Sequence, residues 1–301
     1  MAARFGPPPL RFLTVSPVPG TFGQGFPGLI YLSTLSYVAP SIRSLDRHDQ
    51  VFFTELLHAH ETAHQWWGNI ITANGYHDAW LPEALANYSG LLYLEKRKGA
   101  RTVEAILNEY RANLLKKTDT GTEDEAGPIV MGARLANSLT PDAWRHIVYG
   151  KGSWIMHMLR RRMGDQRFLE MLGELRRRYQ WKSVTTEEFR ELAAGFLPPK
   201  SPDPKLEVFF DEWVYGTGIP ALKLTWSVKG KAPALKLSGT VTQSGVNDDF
   251  SFPVPIEIQF ARGRPLTYWV ESSSDPVPFT VALKQAPSKV LLDPQGSVLR
   301  R

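Results

Sequence analysis

The sequence contains no cysteine, which excludes disulfide bonds and thiolate zinc sites and gives no evidence on the cellular compartment. No apolar run approaches the ~20 residues of a membrane span, so we expect no transmembrane segment. The N-terminus lacks the charged-then-apolar layout of a signal peptide. No acidic residue occurs between Met1 and Leu45. The localisation of the protein is therefore unknown from its sequence.

The chain is long enough and apolar enough to form a full core, with 301 residues of which 43% are hydrophobic. A chain of this length favours two domains. Its formal net charge of +5 arises partly from Arg160–Arg162 and Arg176–Arg178, which end helical patterns. Basic side chains near helix C-termini are favoured by the helix dipole and usually form a solvated face. Because no recognised nucleic-acid motif accompanies them, we predict no nucleic-acid partner.

The segment His60–His64, which reads HETAH, is the most informative part of the sequence. Two histidines four apart on a helix differ by only about 40° in direction, so both imidazoles point at one spot. Glu61 lies about 100° around the helix, where it can act as a general base without being a ligand. Residues 55–68 favour a helix that ends at a glycine, and Asp46 or Asp49 offers a cap at its start.

Glu83 supplies the third expected ligand. The sequence Leu81-Pro82-Glu83 predicts the start of a second helix, with proline at its first position. Glu83 then lies in the first turn, on a rigid element that can face His60 and His64. Three protein ligands leave the fourth position of a tetrahedral zinc open, as a catalytic site requires. We therefore predict one Zn²⁺ ion held by these three side chains.

The other polar and aromatic residues near the motif are interpreted as structural. Asn87, four residues after Glu83, could orient that carboxylate, but a position on the helix surface is favoured. Trp66 and Trp67 are expected to pack under the site. The same structural interpretation applies to the remaining histidines: His48, His58, His77, His146 and His157.

Three segments resemble the zinc signature of the M1 family of metallopeptidases, the membrane-alanyl-aminopeptidase group. They are residues 60–69 (HETAHQWWGN), 80–88 (WLPEALANY) and 149–152 (YGKG). The family's second segment usually reads Trp-Leu-Asn-Glu-Gly-Phe-Ala, so this chain departs from it around a retained glutamate. The resemblance implies that Tyr149 stabilises the tetrahedral oxyanion. A fixed phenol donor beside the metal lowers the energy of the alkoxide-like oxygen that forms during attack on an amide.

A fourth family element is different in this chain. M1 aminopeptidases carry a Gly-x-Met-Glu-Asn segment before the zinc helix, and its glutamate grips the free α-amino group of the substrate. Residues 23–32 read GQGFPGLIYL and contain no acidic residue, so the resemblance implies altered recognition of the N-terminus. Backbone groups of Gly25, Phe26, Pro27 and Gly28 are candidates for binding an extended peptide by strand addition. The alternative, which the sequence supports equally, is that this segment is a glycine–proline loop without a role in substrate binding.

Hydrophobic periodicity divides the chain into three regions. Residues 1–45 are typical of short strands and turns, and residues 46–218 are helical in pattern. The remainder, 219–301, alternates with period two and predicts a small antiparallel β-sandwich. Within the helical region, Gly164 predicts a helix end. The polar and acidic residues 118–127 predict a mobile loop.

The resemblance implies an α+β fold, with a mainly helical, thermolysin-like zinc peptidase domain at 1–218 and a β-sandwich domain at 219–301. Complete M1 enzymes have a large N-terminal β-domain before this point. We therefore expect either a fragment or a truncated member, in which a missing N-terminal domain or a partner chain covers that face.

The function predicted from these residues is zinc-dependent hydrolysis of peptide bonds, aminopeptidase-like with altered recognition of the N-terminus, on a peptide substrate. Glu61 takes the proton of the attacking water and passes it to the leaving amine, and Tyr149 steadies the oxyanion. One alternative is a zinc endopeptidase or broad peptidase without selectivity for a free amine. The other is a non-catalytic peptidase-like binding module, which loss of His60, His64 or Glu83 would have indicated.

Overall fold

The computed structural model describes residues 1–38, 52–119 and 121–301, with Phe53 and Thr54 described by their backbone alone. Two compact units divide the chain, Met1–Phe196 and Leu197–Arg301. The candidate helix caps and one of the histidines interpreted as structural lie outside the described residues: Asp46, Asp49 and His48. The assignment of functional domains to 1–218 and 219–301 stays a prediction.

A small three-stranded sheet opens the first unit. It consists of β1 (Thr14–Val18), β2 (Gln24–Phe26) and β3 (Leu29–Ser33), in the order β1-β3-β2. β1 runs parallel to β3 and β2 runs antiparallel to it, so β2 is an edge strand. Gly28, whose φ of 72° lies in the region that favours glycine, provides the tight reversal between β2 and β3. The predicted strands are confirmed, whereas the short helix Ala2–Phe5 was not predicted.

The helix that contains His60 and has His64 as its C-cap residue is shorter than the sequence predicts. A π-helical turn, Phe52–Leu56, leads into an α-helix over Leu57–Ala63, which we call the histidine helix. The expected extension to Gly68 is wrong, because tighter backbone bonds close the chain first: Trp66 N–H donates to the carbonyl of Ala63 at 2.9 Å. Gly68 still ends a turn, with a φ of 105°.

The longest helix of the first unit is Trp80–Lys98, here called the glutamate helix because it carries Glu83. Glu83 lies in the first turn, as predicted. Pro82 occupies the third helical position and not the first, which is tolerated because the first four N–H groups of a helix have no intrahelical acceptor. Thr186 contacts the start of the helix: its hydroxyl accepts from the indole of Trp80 at 3.1 Å, and its N–H donates to Asp78 at 2.7 Å.

The described residues within 118–127 form short regular elements and not the mobile loop that the sequence predicts. Lys117–Thr118 (β5) pairs with Gly121–Thr122 (β6), and a 3₁₀ turn over Glu123–Ala126 follows, which we call the acidic turn. The expectation failed because Glu123 and Asp124 are buried. A high local density of charge therefore does not mark a solvated segment here.

A second π-helical turn, His146–Lys151, carries Tyr149 and is called the tyrosine turn. The helix Gly152–Met163 continues from it and ends at Gly164 (φ 83°), the helix end predicted from the sequence. The other elements of this unit are short sheet strands, further helices and 3₁₀ turns: Thr34–Tyr37, Ile71–Ala73 (β4), Tyr76–Asp78, Ala100–Leu114, Ile129–Leu135, Ala143–Arg145, Asp165–Tyr179, Lys182–Val184 (β7) and Thr186–Ala194.

The second unit begins with the helix Glu207–Phe210 and the π-helical turn Asp211–Tyr215 and is otherwise made of strands. Two antiparallel three-stranded sheets, in the orders β11-β10-β13 and β12-β9-β8, contribute to one hydrophobic cluster. The predicted antiparallel strands are confirmed, and with the helical first unit they give an α+β fold. The strands are Ala221–Lys231 (β8), Ala234–Ser244 (β9), Phe252–Phe260 (β10), Leu266–Ser272 (β11), Val277–Leu283 (β12) and Pro287–Leu292 (β13).

The predicted solvated arginine face is only partly correct. Arg160 is buried and is held by Glu95 at 2.9 Å and by Asp165 at 2.8 Å. Arg177 and Arg178 are exposed and contact Glu174 on their own helix. Within the described ranges, no helix combines the length and the apolar character that crossing a bilayer requires.

Candidate metal centre

Three predicted ligand side chains converge on one point in the first unit. His60 Nε2 and His64 Nε2 lie 3.0 Å apart. Glu83 Oε2 lies 3.5 Å from each of them. One ligand atom from each residue can be chosen so that all three lie within 4.8 Å of one another, and this is the only such group among the described residues. The two histidines are buried, and Glu83 is partly buried.

The convergence depends on close packing of the histidine helix against the glutamate helix. His60 and His64 are separated by one helical turn, so their rings share a face. At the contact, the glutamate helix presents Gly90: a Cβ built there would lie 2.9 Å from Cδ1 of Leu56 and 3.5 Å from the backbone nitrogen of His60. Glycine at this position therefore brings the two helices close enough for Glu83 to reach both imidazoles.

The orientation of His64 is fixed by the turn that ends its helix. Its Nδ1 lies 2.8 Å from the carbonyl oxygen of Trp67. A carbonyl oxygen accepts only, so Nδ1 carries the proton and Nε2 keeps a lone pair directed at the site. Trp67 is in turn fully buried and donates from its indole to Ser89 at 3.0 Å. The predicted packing of Trp67 under the site is confirmed. Because the helix ends before His64, the carbonyl of Trp67 lies where it can orient the His64 ring.

The close approach of the carboxylate and the imidazoles shifts the pKa values of Glu83 and His64. Burial alone would raise the pKa of Glu83, but the neighbouring imidazoles of His60 and His64 outweigh it and hold the pKa well below its ordinary value. Burial alone would likewise lower the pKa of His64, yet Glu83, and to a smaller extent Glu61, raise it. The carboxylate is therefore ionised throughout the physiological range, as a metal ligand must be.

A cation fits this group of side chains. Glu83 Oε2 is buried and has no hydrogen-bond partner among the described residues, although it faces two imidazole nitrogens. A buried carboxylate oxygen without a partner is costly unless a positive charge satisfies it. Two imidazoles and one carboxylate are also a donor set that catalytic zinc sites use. His60, His64 and Glu83 would hold the ion.

Glu61 lies beside the three ligands, pressed against the edge strand β2. Burial raises the pKa of Glu61, partly offset by His60 and His64, and the backbone N–H of Gly25 donates to its carboxylate. A Cβ at Gly23 would lie 2.7 Å from Glu61 Oε1, and one at Gly25 would lie 2.7 Å from the Glu61 carbonyl oxygen. The two glycines therefore allow β2 to lie directly against the carboxylate.

Tyr149 reaches the same group from the tyrosine turn. Its ring lies 5.6 Å from that of His60 and 5.2 Å from that of Trp144, centroid to centroid. Burial raises the pKa of Tyr149 strongly, and the negative charge of the neighbouring Glu83 raises it further. The phenol therefore remains a protonated donor at neutral pH.

Gly152, the first residue after the tyrosine turn, lies at a close contact with the glutamate helix. A Cβ at Gly152 would lie 2.8 Å from Cβ of Ala84, the residue after Glu83. A Cβ at Gly150 would lie 3.4 Å from Cβ of Tyr110. The turn is therefore packed against the glutamate helix at the position where an added methyl group would not fit.

Asn87 connects the same two elements and is not the surface residue favoured from the sequence. It is buried, and its side-chain nitrogen lies 3.4 Å from the carbonyl oxygen of Tyr149, 3.0 Å from the hydroxyl of Tyr110 and 2.9 Å from that of Ser153. The only sequence feature that indicated a role for Asn87 is its position one turn after Glu83. That position predicts a contact with Glu83, whereas the side chain contacts the tyrosine turn.

The candidate substrate segment lies beside the centre, but its backbone groups are already bonded. Gln65, next to the second histidine, accepts from Gly28 N–H at 2.9 Å and donates to the carbonyl of Phe26 at 2.8 Å. Gly25 donates to Glu61, and Pro27 has no N–H. A peptide strand added along Gly25–Gly28 would compete with these bonds. Phe26, whose side chain is 45% exposed, and Pro27 are the accessible residues of the segment.

The described histidines that were interpreted as structural lie outside the group of three ligands. His157 Nδ1 hydrogen-bonds the hydroxyl of Tyr88 at 3.1 Å, and His77 Nδ1 donates to the carbonyl of Val130 at 3.1 Å. His146 faces Glu123 at 3.6 Å. His58, two residues before His60, is not part of the group.

Comparison with known proteins identifies the family. Residues 28–213 match the model described as "Peptidase family M1 domain". This match covers all three candidate ligands, Glu61 and Tyr149. The chain belongs to peptidase family M1.

The chain aligns with only part of each of two named relatives. "Aminopeptidase N" of Lactococcus lactis subsp. lactis is 30% identical over 169 residues, which is 56% of this chain and 19% of the relative. "Probable aminopeptidase 2" of Sulfurisphaera tokodaii is 27% identical over 241 residues, 79% of this chain and 29% of the relative. The chain therefore spans less than a third of the length of either protein.

A solved structure has the same fold. Aminopeptidase A of Legionella pneumophila, in a crystal structure with aspartic acid, aligns with a TM-score of 0.71 at 19% identity. The alignment covers 99% of this chain and 33% of that protein. At this identity the likeness concerns the fold.

Proposed function

We propose that this chain supplies the catalytic centre of a zinc-dependent peptidase, aminopeptidase-like with altered recognition of the substrate N-terminus. The observation that carries the proposal is the convergence of His60, His64 and Glu83 at one point, with the Glu61 carboxylate and the Tyr149 hydroxyl beside it. Membership of peptidase family M1 supports the same reaction class.

One zinc ion is the proposed cofactor, held by His60 Nε2, His64 Nε2 and the Glu83 carboxylate. When bound, zinc would lower the pKa of water and polarise the carbonyl of the scissile bond. The three residues supply one negative charge in a site from which water is largely excluded. They leave one tetrahedral position for the reacting groups.

Glu61 is the proposed general base. It accepts a proton from the attacking water and delivers it to the nitrogen of the leaving amine. Its burial, which raises its pKa, brings its basicity closer to neutral pH, where a base and an acid role are both accessible to one group. The N–H of Gly25 holds the carboxylate in one orientation. These features suit a group that must transfer a proton twice.

Tyr149 is the proposed donor to the oxyanion. Attack on the carbonyl concentrates negative charge on its oxygen, and a phenol held beside the ligands can donate to that oxygen. The raised pKa of Tyr149 keeps the proton on the hydroxyl, so it remains a donor at the pH of the reaction. Its ring lies 5.6 Å from that of His60, which places the phenol beside the proposed ligands.

The edge strand β2 supports altered recognition of the substrate N-terminus. The sequence before residue 46 holds no carboxylate that could bind an ammonium group. At Gly25 there is also no space for a side chain, since a Cβ would lie 2.8 Å from Cβ of His64. This observation favours, as second candidate, an endopeptidase or broad peptidase without selectivity for a free amine.

A comparison of matched peptides separates the two candidates. Zinc-loaded protein would be assayed on the same peptide with a free and with an acetylated N-terminus, and cleavage products would be identified by mass spectrometry. Cleavage of the free peptide alone supports an aminopeptidase. Equal cleavage supports the second candidate. Cleavage of neither peptide, in protein that carries one zinc per chain, contradicts the proposed function.

A further inference from the structure

We propose that Asp124 is a positioning residue for Tyr149, acting through a buried ion pair with Lys151 at the end of the tyrosine turn. The inference rests on the function proposed for Tyr149. It concerns the acidic turn, Glu123–Ala126, which has no part in the reaction as described so far. Its sequence, polar and acidic, gives no sign of a buried role.

The ion pair is fully removed from solvent. Lys151 Nζ lies 3.0 Å from Asp124 Oδ1, and both side chains are 0% exposed. Removing a lysine and an aspartate from water is costly for each ion, so such a pair contributes little net stability compared with apolar side chains of the same size. A pair of this kind is better explained by what it orients than by the stability that it adds.

The acidic turn contacts the tyrosine turn at both of its ends. Asp124 pairs with Lys151, the last residue of the π-helical turn, and the preceding Glu123 lies 3.6 Å from Nδ1 of His146, its first residue. Tyr149 lies between these two contacts. The ion pair restrains the last residue of the six-residue turn, and Glu123 lies against its first residue without a hydrogen bond.

The tyrosine turn needs such an anchor. A π-helical turn has wider spacing than an α-helix, is rarely stable alone, and occurs often at functional sites. Gly150 and Gly152 lie within or just after the turn, and glycine in a helix leaves the backbone freer than other residues do. The attraction between two opposite charges in a buried, low-dielectric position restrains the distance between Asp124 and Lys151. The pair therefore holds the backbone from which the Tyr149 hydroxyl is directed at the ligands.

The consequence for catalysis is specific. A displacement of about 1 Å in a group that contacts the reacting atoms can lower turnover about 100-fold while leaving substrate binding largely intact. Loss of Asp124 should therefore act on kcat. It should leave zinc content unchanged, because His60, His64 and Glu83 lie on other elements.

The test compares Asp124→Asn with Tyr149→Phe and with the double variant, in zinc-loaded protein. We expect Asp124→Asn to lower kcat about 10- to 100-fold with less than about a threefold change in KM. In the Tyr149→Phe background the same substitution should have little further effect, since the hydroxyl that it positions is absent. Asp165→Asn, which removes a carboxylate from the buried Arg160, is the matched control and should leave kcat unchanged.

Hydrogen exchange provides a readout that does not depend on activity. Asp124→Asn should increase amide exchange in peptides that cover His146–Gly152, whereas Asp165→Asn should not. If Asp124→Asn does not fold, the paired replacement Asp124→Leu with Lys151→Met removes both charges together and is compared in the same way. Normal kcat and normal exchange in the folded Asp124→Asn variant would overturn the inference. It would also be overturned if the kcat loss of the double variant equalled the product of the losses of the two single variants.

The failure of this inference differs from a failure of the proposed function. If the zinc-loaded wild-type protein cleaves no peptide, or if Tyr149→Phe has wild-type kcat, the role proposed for Tyr149 is wrong. The exchange comparison then still decides whether Asp124 anchors the tyrosine turn.

Discussion

Gly152 packs directly on Ala84, so that a Cβ built at Gly152 would lie 2.8 Å from the Cβ of Ala84. This contact joins the start of the helix that follows the tyrosine turn to the first turn of the glutamate helix. Tyr149 and Glu83, which belong to separate parts of the sequence, are each close in the chain to one of the two residues. The spacing between the proposed oxyanion donor and one metal ligand is therefore set by a glycine.

Gly152→Ala should be destabilising although alanine is the better helix former. The added methyl group meets backbone-anchored Ala84, so one element must shift, at a cost of about 1–3 kcal/mol. Gly150→Ala is the matched control, because its Cβ would make an ordinary contact of 3.4 Å with Tyr110. That change should be neutral or stabilising. Urea unfolding of both variants measures the difference, and equal stabilities would contradict this packing argument.

Gly23→Ala should affect activity more than stability. The new Cβ would lie 2.7 Å from Oε1 and 2.8 Å from Cγ of Glu61, so the whole glutamate side chain must turn away from its position. We expect about a tenfold loss of kcat because the base is displaced. Gly25→Ala meets the Glu61 carbonyl oxygen, which cannot move freely, and should also lose about 1–3 kcal/mol of stability. Steady-state kinetics and thermal unfolding separate the two effects. A Gly23→Ala variant with wild-type kcat would argue against this placement of Glu61.

His60→Ala should abolish zinc binding, whereas His58→Ala should not. His60 is one of the three converging ligands, and His58 on the same helix is not part of that group. Zinc at 100 times its dissociation constant should stabilise the wild-type protein by ~2.7 kcal/mol. The same stabilisation is expected for His58→Ala and none for His60→Ala. Thermal unfolding with and without zinc, with metal content measured after dialysis, tests this. Equal zinc contents would contradict the ligand assignment.

Asp165 should contribute stability that depends on pH. Its hydrogen bond to Arg160 holds the pKa of the carboxyl below its ordinary value of 3.8, against a smaller opposing effect of burial. A depressed folded-state pKa means that the stabilisation is present above the ordinary pKa and is lost as pH falls through the folded pKa. Because Asp165 is largely exposed, Asp165→Asn should cost only ~0.5–1 kcal/mol at pH 7. Urea unfolding below pH 3.8 should show this difference shrinking, and a constant difference would contradict it.

The local signals for the ligands were strong because they depend on short spacings. The two histidines four residues apart and the early glutamate of the second helix needed only helical periodicity to be placed. The histidine helix nevertheless ends at Ala63, because backbone bonds after His64 close a turn that propensity does not reveal. Propensity predicted the helix but not its end.

The burial of the acidic turn could not be predicted from the local sequence. Glu123 and Asp124 are polar and adjacent, a pattern typical of solvated loops. Their partners, His146 and Lys151, are more than twenty residues away in the chain. Burial of charge depends on such long-range pairing. The same reason explains why Asn87 was assigned to a helix surface although it bonds Tyr149 across the two elements.

The central claim is that Glu61 is the base of a peptidase whose metal is held by other residues. The most direct measurement compares kcat/KM of zinc-loaded wild-type protein with that of Glu61→Gln on a peptide with a free N-terminus, together with zinc content. Glutamine preserves the size of the side chain but cannot accept the proton. We predict one zinc per chain in both proteins and a loss of about 10²- to 10⁴-fold in kcat/KM for the variant. Near-normal turnover by Glu61→Gln would contradict the account.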